Sequence, residues 1–225
     1  MVQHQVETPD VRKSTLATAL RLFATHGFDA TPVQAIADAV GVSKQAILHH
    51  FSTKEQLRQA VLDSILAHWN ETLPRLLLAA TASEDRFEAV FGELFRFFAE
   101  DRDRARIVLR EALDRPEEVR LLLKSSVRPW LGAIAQYIQA GQERAQHFAD
   151  VDAEAYVIHI LQLVLTAVAS YPVMGAALLQ DARKRYDREL ARIAKASLFR
   201  PLPDGKPAKN NDKANDEKPQ RKGKR

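Results

Sequence analysis

The residues that decide the fold read Ile36-Ala37-Asp38-Ala39-Val40-Gly41-Val42-Ser43. This pattern is typical of a helix-turn-helix, with a small alanine where two helices cross and a glycine that relieves the backbone in the turn. Ser43 is a favourable N-cap for the second helix, and Val42 and Ile47 are expected to fill the wedge between the two helices. The motif is therefore predicted over residues 32–51. The side chains expected to project outward from its second helix are those of Lys44, Gln45, Ala46, Leu48 and His49.

Helical spacing extends over nearly all of the chain up to residue 200. Apolar residues recur three and four positions apart, and no alternating pattern of useful length predicts a strand. We predict an all-α protein with nine helices, separated by capping and proline signals. Pro74 is expected to bend or end the fourth helix, and Pro129 to kink the seventh. The predicted helix starts are Thr8-Pro9, Thr31-Pro32, Ser43, Ser52-Thr53, Ser83, about Arg104, Pro116, Asp152, and either Met174 or Asp181.

Composition divides the chain into three parts. Residues 9–56 hold the short, closely spaced helices, and residues 57–200 hold the longer ones. Residues 201–225 contain four prolines and two glycines, with almost no large apolar side chain after Leu202. Burial within this tail cannot offset the entropy of ordering it, so it is predicted to be disordered.

The net charge of +4 belongs to the tail. Residues 201–225 hold eight basic and four acidic side chains, which leaves 25 of each sign in residues 1–200. A nucleic-acid partner must therefore be argued from a local site. The tail itself has three interpretations: a solubilising extension, an accessory arm for phosphates, or a protein-binding segment.

Several kinds of site are disfavoured by the residues present. The chain has no cysteine, which excludes disulfides and thiolate chemistry and fits a cytoplasmic location. No run of about 18 apolar residues predicts a membrane span. Neither a Gly-rich phosphate loop nor a His-Glu-x-x-His motif occurs, so no catalytic residue and no cofactor are predicted. His49-His50 lacks a third ligand nearby, so no metal site is predicted either.

Many separate positions near the N-terminus resemble one known family. They are Leu22-Phe23, Gly27-Phe28, Thr31, Ile36-Ala37, Val40-Gly41-Val42-Ser43, Ile47, His50-Phe51 and Thr53-Lys54-Glu55-Gln56-Leu57. Their order and spacing closely resemble the N-terminal domain of Tet-repressor-type (TetR/AcrR) transcriptional regulators, over about residues 9 to 60. The resemblance implies a homodimeric repressor that binds a palindromic DNA operator and a small effector.

The resemblance also implies which positions contact DNA. Lys44, Gln45 and Ala46 become candidates for base edges, and Thr31 and Lys54 for phosphates. The family commonly has a tyrosine where this sequence has Leu48, so the usual phenolic contact to a phosphate is missing. Two alternatives remain: His49 replaces part of that contact, or Leu48 touches a thymine methyl.

Aromatic residues of the larger domain are expected to line an apolar effector pocket, although helical spacing alone also fits an ordinary core. The proposed lining is Trp69, Phe91, Phe95, Trp130 and Tyr137. The helix around His159 is apolar on almost every face, which predicts burial against a second subunit. The interface residues predicted on it and on the last helix are Tyr156, Ile160, Leu163, Val164, Ala167, Leu190, Ile193 and Ala194. His159 faces either the pocket or the core.

Two other functions remain open from the sequence. One is a helical enzyme or cofactor-binding protein, against which the missing motifs argue. The other is a DNA-binding activator or architectural protein without an effector. A second domain whose central cavity is filled by side chains would favour it.

Overall fold

A computed structural model describes residues 10–82, 86–179 and 183–200 of the chain. Within these residues the regular structure is helical, apart from a single bridge that pairs His147 with Phe199. The α-helices are α1 (Val11–His26), α2 (Val33–Val40), α3 (Lys44–His50), α4 (Lys54–Ala82), α5 (Arg86–Ala99), α6 (Arg102–Asp114), α7 (Pro116–Leu122), α8 (Arg128–Glu143), α9 (Ala153–Ser170), α10 (Met174–Leu178) and α11 (Arg183–Ala196).

The all-α prediction is confirmed, with eleven helices in the described residues where nine were predicted. Two predicted helices are each divided. The segment that starts at Pro116 becomes α7 and α8, and the last segment becomes α10 and α11. The predicted starts at Thr8-Pro9 and Ser83, like the predicted disordered tail at residues 201–225, lie outside the described residues.

Most of the capping predictions hold. Ser43 Oγ accepts the N–H of Ala46 at 3.1 Å, and Asp152 Oδ1 accepts the N–H of Ala155 at 2.9 Å. The first helix is capped by Asp10, whose Oδ1 accepts the N–H of Lys13 at 3.2 Å. The second helix begins one residue later than predicted, because Pro32 occupies the N-cap position and Thr31 stands before it.

The two interior prolines behave differently. Pro74 was predicted to bend or end its helix; it does not end it, because α4 continues to Ala82. Just before Pro129, where a kink was predicted, residues Leu123–Val127 form a π-helical turn. There the N–H of Arg128 bonds to Leu123 O, five residues back, since proline cannot continue the α-helical bonding pattern.

Helices α1, α2, α3 and the beginning of α4 form a small N-terminal unit, which we call the head; the remaining helices form the body. The head core contains Phe23, Ile36, Ile47 and Leu57, each at most 1% exposed. In the body, α5, α6 and α8 pack against α9, and α5 also packs against α4. Helix α1 packs against α6, which joins the head to the body.

Helix α9 is apolar and long enough, by length and composition alone, to cross a membrane. Its mean hydropathy is 1.5 over 18 residues. Val164 and Val168 on this helix are completely buried in the core. The helix therefore packs against the rest of the chain along one face.

Candidate nucleic-acid interface and effector cavities

The turn between α2 and α3 has the geometry that the sequence predicts. Gly41 adopts φ of 83° and ψ of 31°, the left-handed conformation, and its N–H bonds to Ala37 O at 2.9 Å. The N–H of Val42 bonds to the same carbonyl at 3.0 Å. Ala37 is fully buried and Ile47 is 1% exposed. The turn therefore fixes α3 on α2 through backbone bonds and close packing.

Helix α3 presents polar side chains on its outer face. Lys44, Gln45 and His49 are exposed, while Ala46 and Leu48 are half-buried at its edges. His50 is exposed as well. Ile47 and Phe51 take the inward positions instead. The described residues contain no group of three His, Cys, Asp or Glu side chains that could hold a metal ion.

The side chains of Thr31 and Lys54 both make contacts within the chain. The hydroxyl of Thr31 donates to Gly27 O at 2.7 Å, and this residue is only 2% exposed. Lys54 Nζ lies 4.3 Å from the centroid of the Phe28 ring and donates to Asp29 O at 3.3 Å. Thr31 thus braces the turn after α1 from within, which does not fit a phosphate contact by its side chain. Lys54 is half-buried, with its charge above an aromatic ring.

Arg12 is a cation near α3 that sequence reasoning missed. This exposed residue lies in the first turn of α1, and its guanidinium carbon is 5.5 Å from the centroid of the Phe51 ring. Phe51 directly follows α3, so the contact brings the N-terminus of α1 to the C-terminal end of that helix. The sequence shows that Arg12 is a cation, but no local pattern predicts its contact with Phe51.

The body contains a cavity of about 90 Å³ between α4, α5, α8 and α9. Four of the five predicted lining residues, Trp69, Phe91, Trp130 and Tyr137, lie on its wall. The fifth, Phe95, does not, because its ring stacks 6.4 Å from that of Phe91 and lies under the guanidinium of Arg183. Burial raises the pKa of Tyr137. We call this space cavity one.

A second cavity of about 100 Å³, here called cavity two, lies between α4, α5, α6, α7 and α9. Its wall includes Leu66, Phe97, Val108 and Leu165, together with the side chain of Glu111. Sequence reasoning did not find it. Its lining is spread over five helices and consists mainly of aliphatic residues, which in sequence look like any other core positions.

The fold has counterparts among known proteins. The family model described as bacterial regulatory proteins, tetR family, matches residues 16–61. The family model described as tetracyclin repressor-like, C-terminal domain, matches residues 108–188. One model of the tetR family thus matches the helix-turn-helix region, and another matches part of the body. The chain belongs to the TetR family.

Two curated relatives match part of this chain. The chain is 32% identical over 117 residues to the HTH-type transcriptional regulator BetI of Rhizobium meliloti, covering 51% of this chain and 58% of that protein. It is 43% identical over 58 residues to the HTH-type transcriptional regulator RutR of Escherichia coli, covering 26% of this chain and 27% of that protein. The chain therefore spans about a quarter to three fifths of these relatives.

Solved structures share the TetR fold over almost the whole chain. The ketosteroid transcriptional regulator KstR2 of Mycobacterium tuberculosis matches with a TM-score of 0.62 and 19% identity, covering 89% of this chain and 100% of that one. A transcriptional regulator from Saccharomonospora viridis, in complex with choline, matches with a TM-score of 0.64 and 18% identity, covering 86% and 100%. At these identities the likeness concerns the fold alone.

Charged side chains connect the TetR-family head to the body. Arg58 of α4 is 5% exposed and forms ion pairs with Glu111 of α6 and Glu118 of α7. Burial alone would lower the pKa of Arg58, but the hydrogen bonds and charges of the two glutamates outweigh it and raise this pKa. The hydrogen bond from Arg58 lowers the pKa of Glu118. We call these three residues the joint triad.

A second arginine of α6 holds the end of α1. Arg110 donates to the carbonyls of Ala24 at 3.0 Å and Thr25 at 3.1 Å. These carbonyls lie in the last turn of α1, where an α-helix leaves acceptors unused and carries negative partial charge. Arg110 and the joint triad therefore link both α1 and α4 to α6.

The predicted dimer-interface residues divide between the inside and the outside of a single chain. Val164, Ala167, Leu190 and Ala194 are at most 5% exposed and pack in the core of one chain. Tyr156, Ile160 and Leu163 are half-buried; the first two line cavity one, and the Tyr156 hydroxyl donates to Ala194 O at 2.5 Å. Ile193 is 44% exposed.

The outward face of α9 is formed by other residues. Ile158 is 41% exposed, and His159, Gln162 and Thr166 are exposed beside it. His159 therefore faces neither the pocket nor the core, which corrects both of our expectations. Most residues of α9 are apolar, so the periodicity of its sequence does not tell which face the rest of the chain covers.

Proposed function

We propose that this chain is a ligand-responsive, DNA-binding transcriptional regulator: a cytoplasmic, homodimeric repressor that leaves a palindromic operator when a small apolar effector binds. The observation that carries the proposal is the exposed face of α3, where Lys44, Gln45 and His49 stand on a helix capped by Ser43 and fixed by the Gly41 turn. A short, rigid helix with polar side chains at its outer end fits the DNA major groove.

Each residue of this face has a chemical preference. The Lys44 ammonium suits O6 and N7 of guanine, and the Gln45 amide suits N6 and N7 of adenine. Leu48 and Ala46 offer apolar surface to a thymine methyl, and His49 is the exposed candidate for a phosphate. Arg12 adds a cation beside Phe51. Lys54 reaches a phosphate in this scheme only by leaving the Phe28 ring.

Two copies of α3 are needed for a palindrome. In a two-fold dimer the two helices enter successive major grooves about 34–36 Å apart. Two exposed isoleucines, Ile158 on α9 and Ile193 on α11, offer apolar side chains to such a dimer. Dimerisation through the body would leave both heads facing the same side of DNA.

The effector signal would travel along α4. Lys54 lies in the head, and Trp69 on the same helix lines both cavities. With a rise of 1.5 Å per residue, these positions are about 22 Å apart along one rod. A ligand that prefers one position of α4 changes the distance between the heads, and so weakens the operator complex through differential affinity for the two states.

The test uses the DNA beside the chain's own gene. An inverted repeat from that region is titrated with the full chain by fluorescence anisotropy, and a scrambled duplex of the same composition serves as the control. We expect specific binding about 10³-fold tighter or more than non-specific binding at the same salt concentration. Equal affinity for the repeat, for other palindromes from the region and for the scrambled duplex would contradict the proposal.

A further inference from the structure

A thin wall separates the two cavities of the body. Trp69, Val127 and Leu161 line both of them. Cavity one measures about 90 Å³ and cavity two about 100 Å³. A cavity of about 150 Å³ can hold one benzene molecule, so each space alone suits only a short piece of a molecule. A single elongated molecule that passes the wall would use both.

The wall carries a polar group without a partner. The indole Nε1 of Trp69 is buried and has no hydrogen-bond partner among the described residues. The Trp69 ring is held edge-on by Phe97, with centroids 5.0 Å apart and planes at 78°. A buried N–H that bonds to nothing destabilises the protein, and an acceptor on a bound molecule would satisfy it.

The charges around the cavities disfavour an ionic ligand. Cavity one is lined by aliphatic and aromatic residues, and its two phenols belong to Tyr137 and Tyr156. Among the lining residues of cavity two the charged one is Glu111, which is paired with Arg58. A carboxylate in this setting would meet apolar walls and a like charge, with no lining cation to compensate.

The π-helical turn forms part of the same wall. Leu123 and Val127, its first and last residues, line cavity two, and Val127 also lines cavity one. Leu123 is 42% exposed, so this side of cavity two adjoins the protein surface. Single π-helical turns of this kind often occur at functional sites.

From these features we infer that the two cavities are one binding site for an elongated, uncharged molecule with an apolar chain and a single hydrogen-bond acceptor. The acceptor takes the Nε1–H of Trp69, and the two ends of the chain occupy cavity one and cavity two. The role of this molecule as effector rests on the proposed function, but its binding is measured without DNA.

Straight-chain methyl ketones, from hexanone to tetradecanone, are suitable probes because each has one acceptor and no donor or charge. Binding to the full chain is measured by isothermal titration calorimetry. We expect affinity to rise about fourfold per added methylene, beyond the length that one cavity can hold. A plateau after the shortest members would contradict a shared site.

Trp69→Phe tests the hydrogen bond, since it keeps an aromatic ring and removes the donor. We expect ketone affinity to fall about fivefold, in line with one lost hydrogen bond. Trp130→Phe is the matched control, because Trp130 also lines cavity one but has no role as donor here. Equal losses in the two variants would overturn the assignment to Trp69 Nε1.

Two matched substitutions fill the cavities separately. Val90 lines cavity one and Val108 lines cavity two, and both are half-buried. We expect Val90→Phe and Val108→Phe each to abolish the rise in affinity with the length of the ketone. Unchanged long-chain affinity in Val108→Phe would overturn the inference. If either variant fails to fold by circular dichroism, the chain-length series on the unaltered protein still decides.

The remaining outcomes separate this inference from the proposed function. If no ketone binds, or if tetraethylammonium binds more tightly than every ketone, the inferred ligand class is wrong, whatever the operator titration shows. If the ketones bind as expected but leave the operator complex unchanged, the site stands and the effector part of the proposed function fails.

Discussion

At the scale of single residues, Lys44 is the side chain to which the proposed function assigns most of the sequence-specific reading. It is exposed at the first position of α3, immediately after the Ser43 cap. A base contact and a phosphate contact differ in what their loss does: the first changes specificity, and the second weakens binding to all sequences alike.

We expect Lys44→Ala to weaken operator binding by about 1–3 kcal/mol and to leave binding to scrambled DNA nearly unchanged. Anisotropy titrations on both duplexes at one salt concentration measure this difference. Lys184→Ala is the control, because Lys184 is an exposed lysine on α11 of the body. Equal weakening on both duplexes would reject the base-reading role of Lys44.

Arg58 is the buried charge whose partners matter most for stability. Of its two partners, the Glu111 side chain is 6% exposed and that of Glu118 is 54% exposed. Removing the buried partner leaves a buried charge uncompensated, whereas solvent screens the other. We expect Glu111→Gln to lower the free energy of unfolding by about 3–5 kcal/mol. Glu118→Gln should have a much smaller effect in the same urea titration.

The lowered pKa of Glu118 also predicts a pH dependence. Because the folded state holds this carboxylate ionised more strongly than the unfolded state, its stabilising contribution is present above the ordinary glutamate pKa. The contribution is lost as the pH falls through the lower folded pKa. In urea titrations, the free energy of unfolding of the unaltered chain should therefore fall more in acid than that of Glu118→Gln. Parallel pH profiles would mean that the Arg58 contact contributes nothing.

At the scale of elements, the position of α3 depends on the left-handed turn at Gly41. A Cβ there would meet no atom within 4 Å, so the backbone conformation is the only obstacle to a side chain. We expect Gly41→Ala to lower the free energy of unfolding by about 1–2 kcal/mol.

Gly92 provides a matched control for this substitution. It lies inside α5, and a Cβ there also meets nothing within 4 Å. Gly92→Ala should raise the free energy of unfolding by about 0.5–1 kcal/mol, because alanine favours the helix. If both variants shift stability in the same direction, strain at Gly41 is not what distinguishes them.

The helix boundaries show which elements a sequence specifies locally. Ser43 and Asp152 cap their helices as predicted, because an N-cap bonds only to its own next three residues. Pro74 does not end α4, which continues to Ala82. The break at Pro129 becomes a π turn within a continuous helical path. Local signals thus predict starts better than they predict ends.

At the scale of the whole molecule, head and body share one apolar core. The largest core cluster includes Phe23 and Ile47 of the head as well as Val164 and Leu190 of the body. Together with the joint triad, this continuity joins α4 and α6 to the head. Any ligand that repacks the cavities acts on the same cluster.

The proposed dimer makes a prediction at this scale. We expect Ile158→Glu to convert the dimer to a monomer and to abolish tight binding to the palindrome, because it places a charge in an apolar interface. Size-exclusion chromatography with light scattering measures the mass. Leu113→Glu is the control, since Leu113 is an equally apolar surface residue, 82% exposed on α6. A dimeric Ile158→Glu protein would exclude this face of α9 as the interface.

The sequence by itself determined the helical class, the turn at Gly41, the cap at Ser43 and the outward direction of Lys44 and Gln45. These features depend on residues within a few positions of one another, so their physical causes are contained in a short segment. Only the tertiary structure decided which face of α9 is covered, how the space in the body divides at Trp69, and that Arg58 meets Glu111 and Glu118. Those partners are separated by 53 and 60 residues. No local pattern encodes such pairs, because they form only when all the helices pack together.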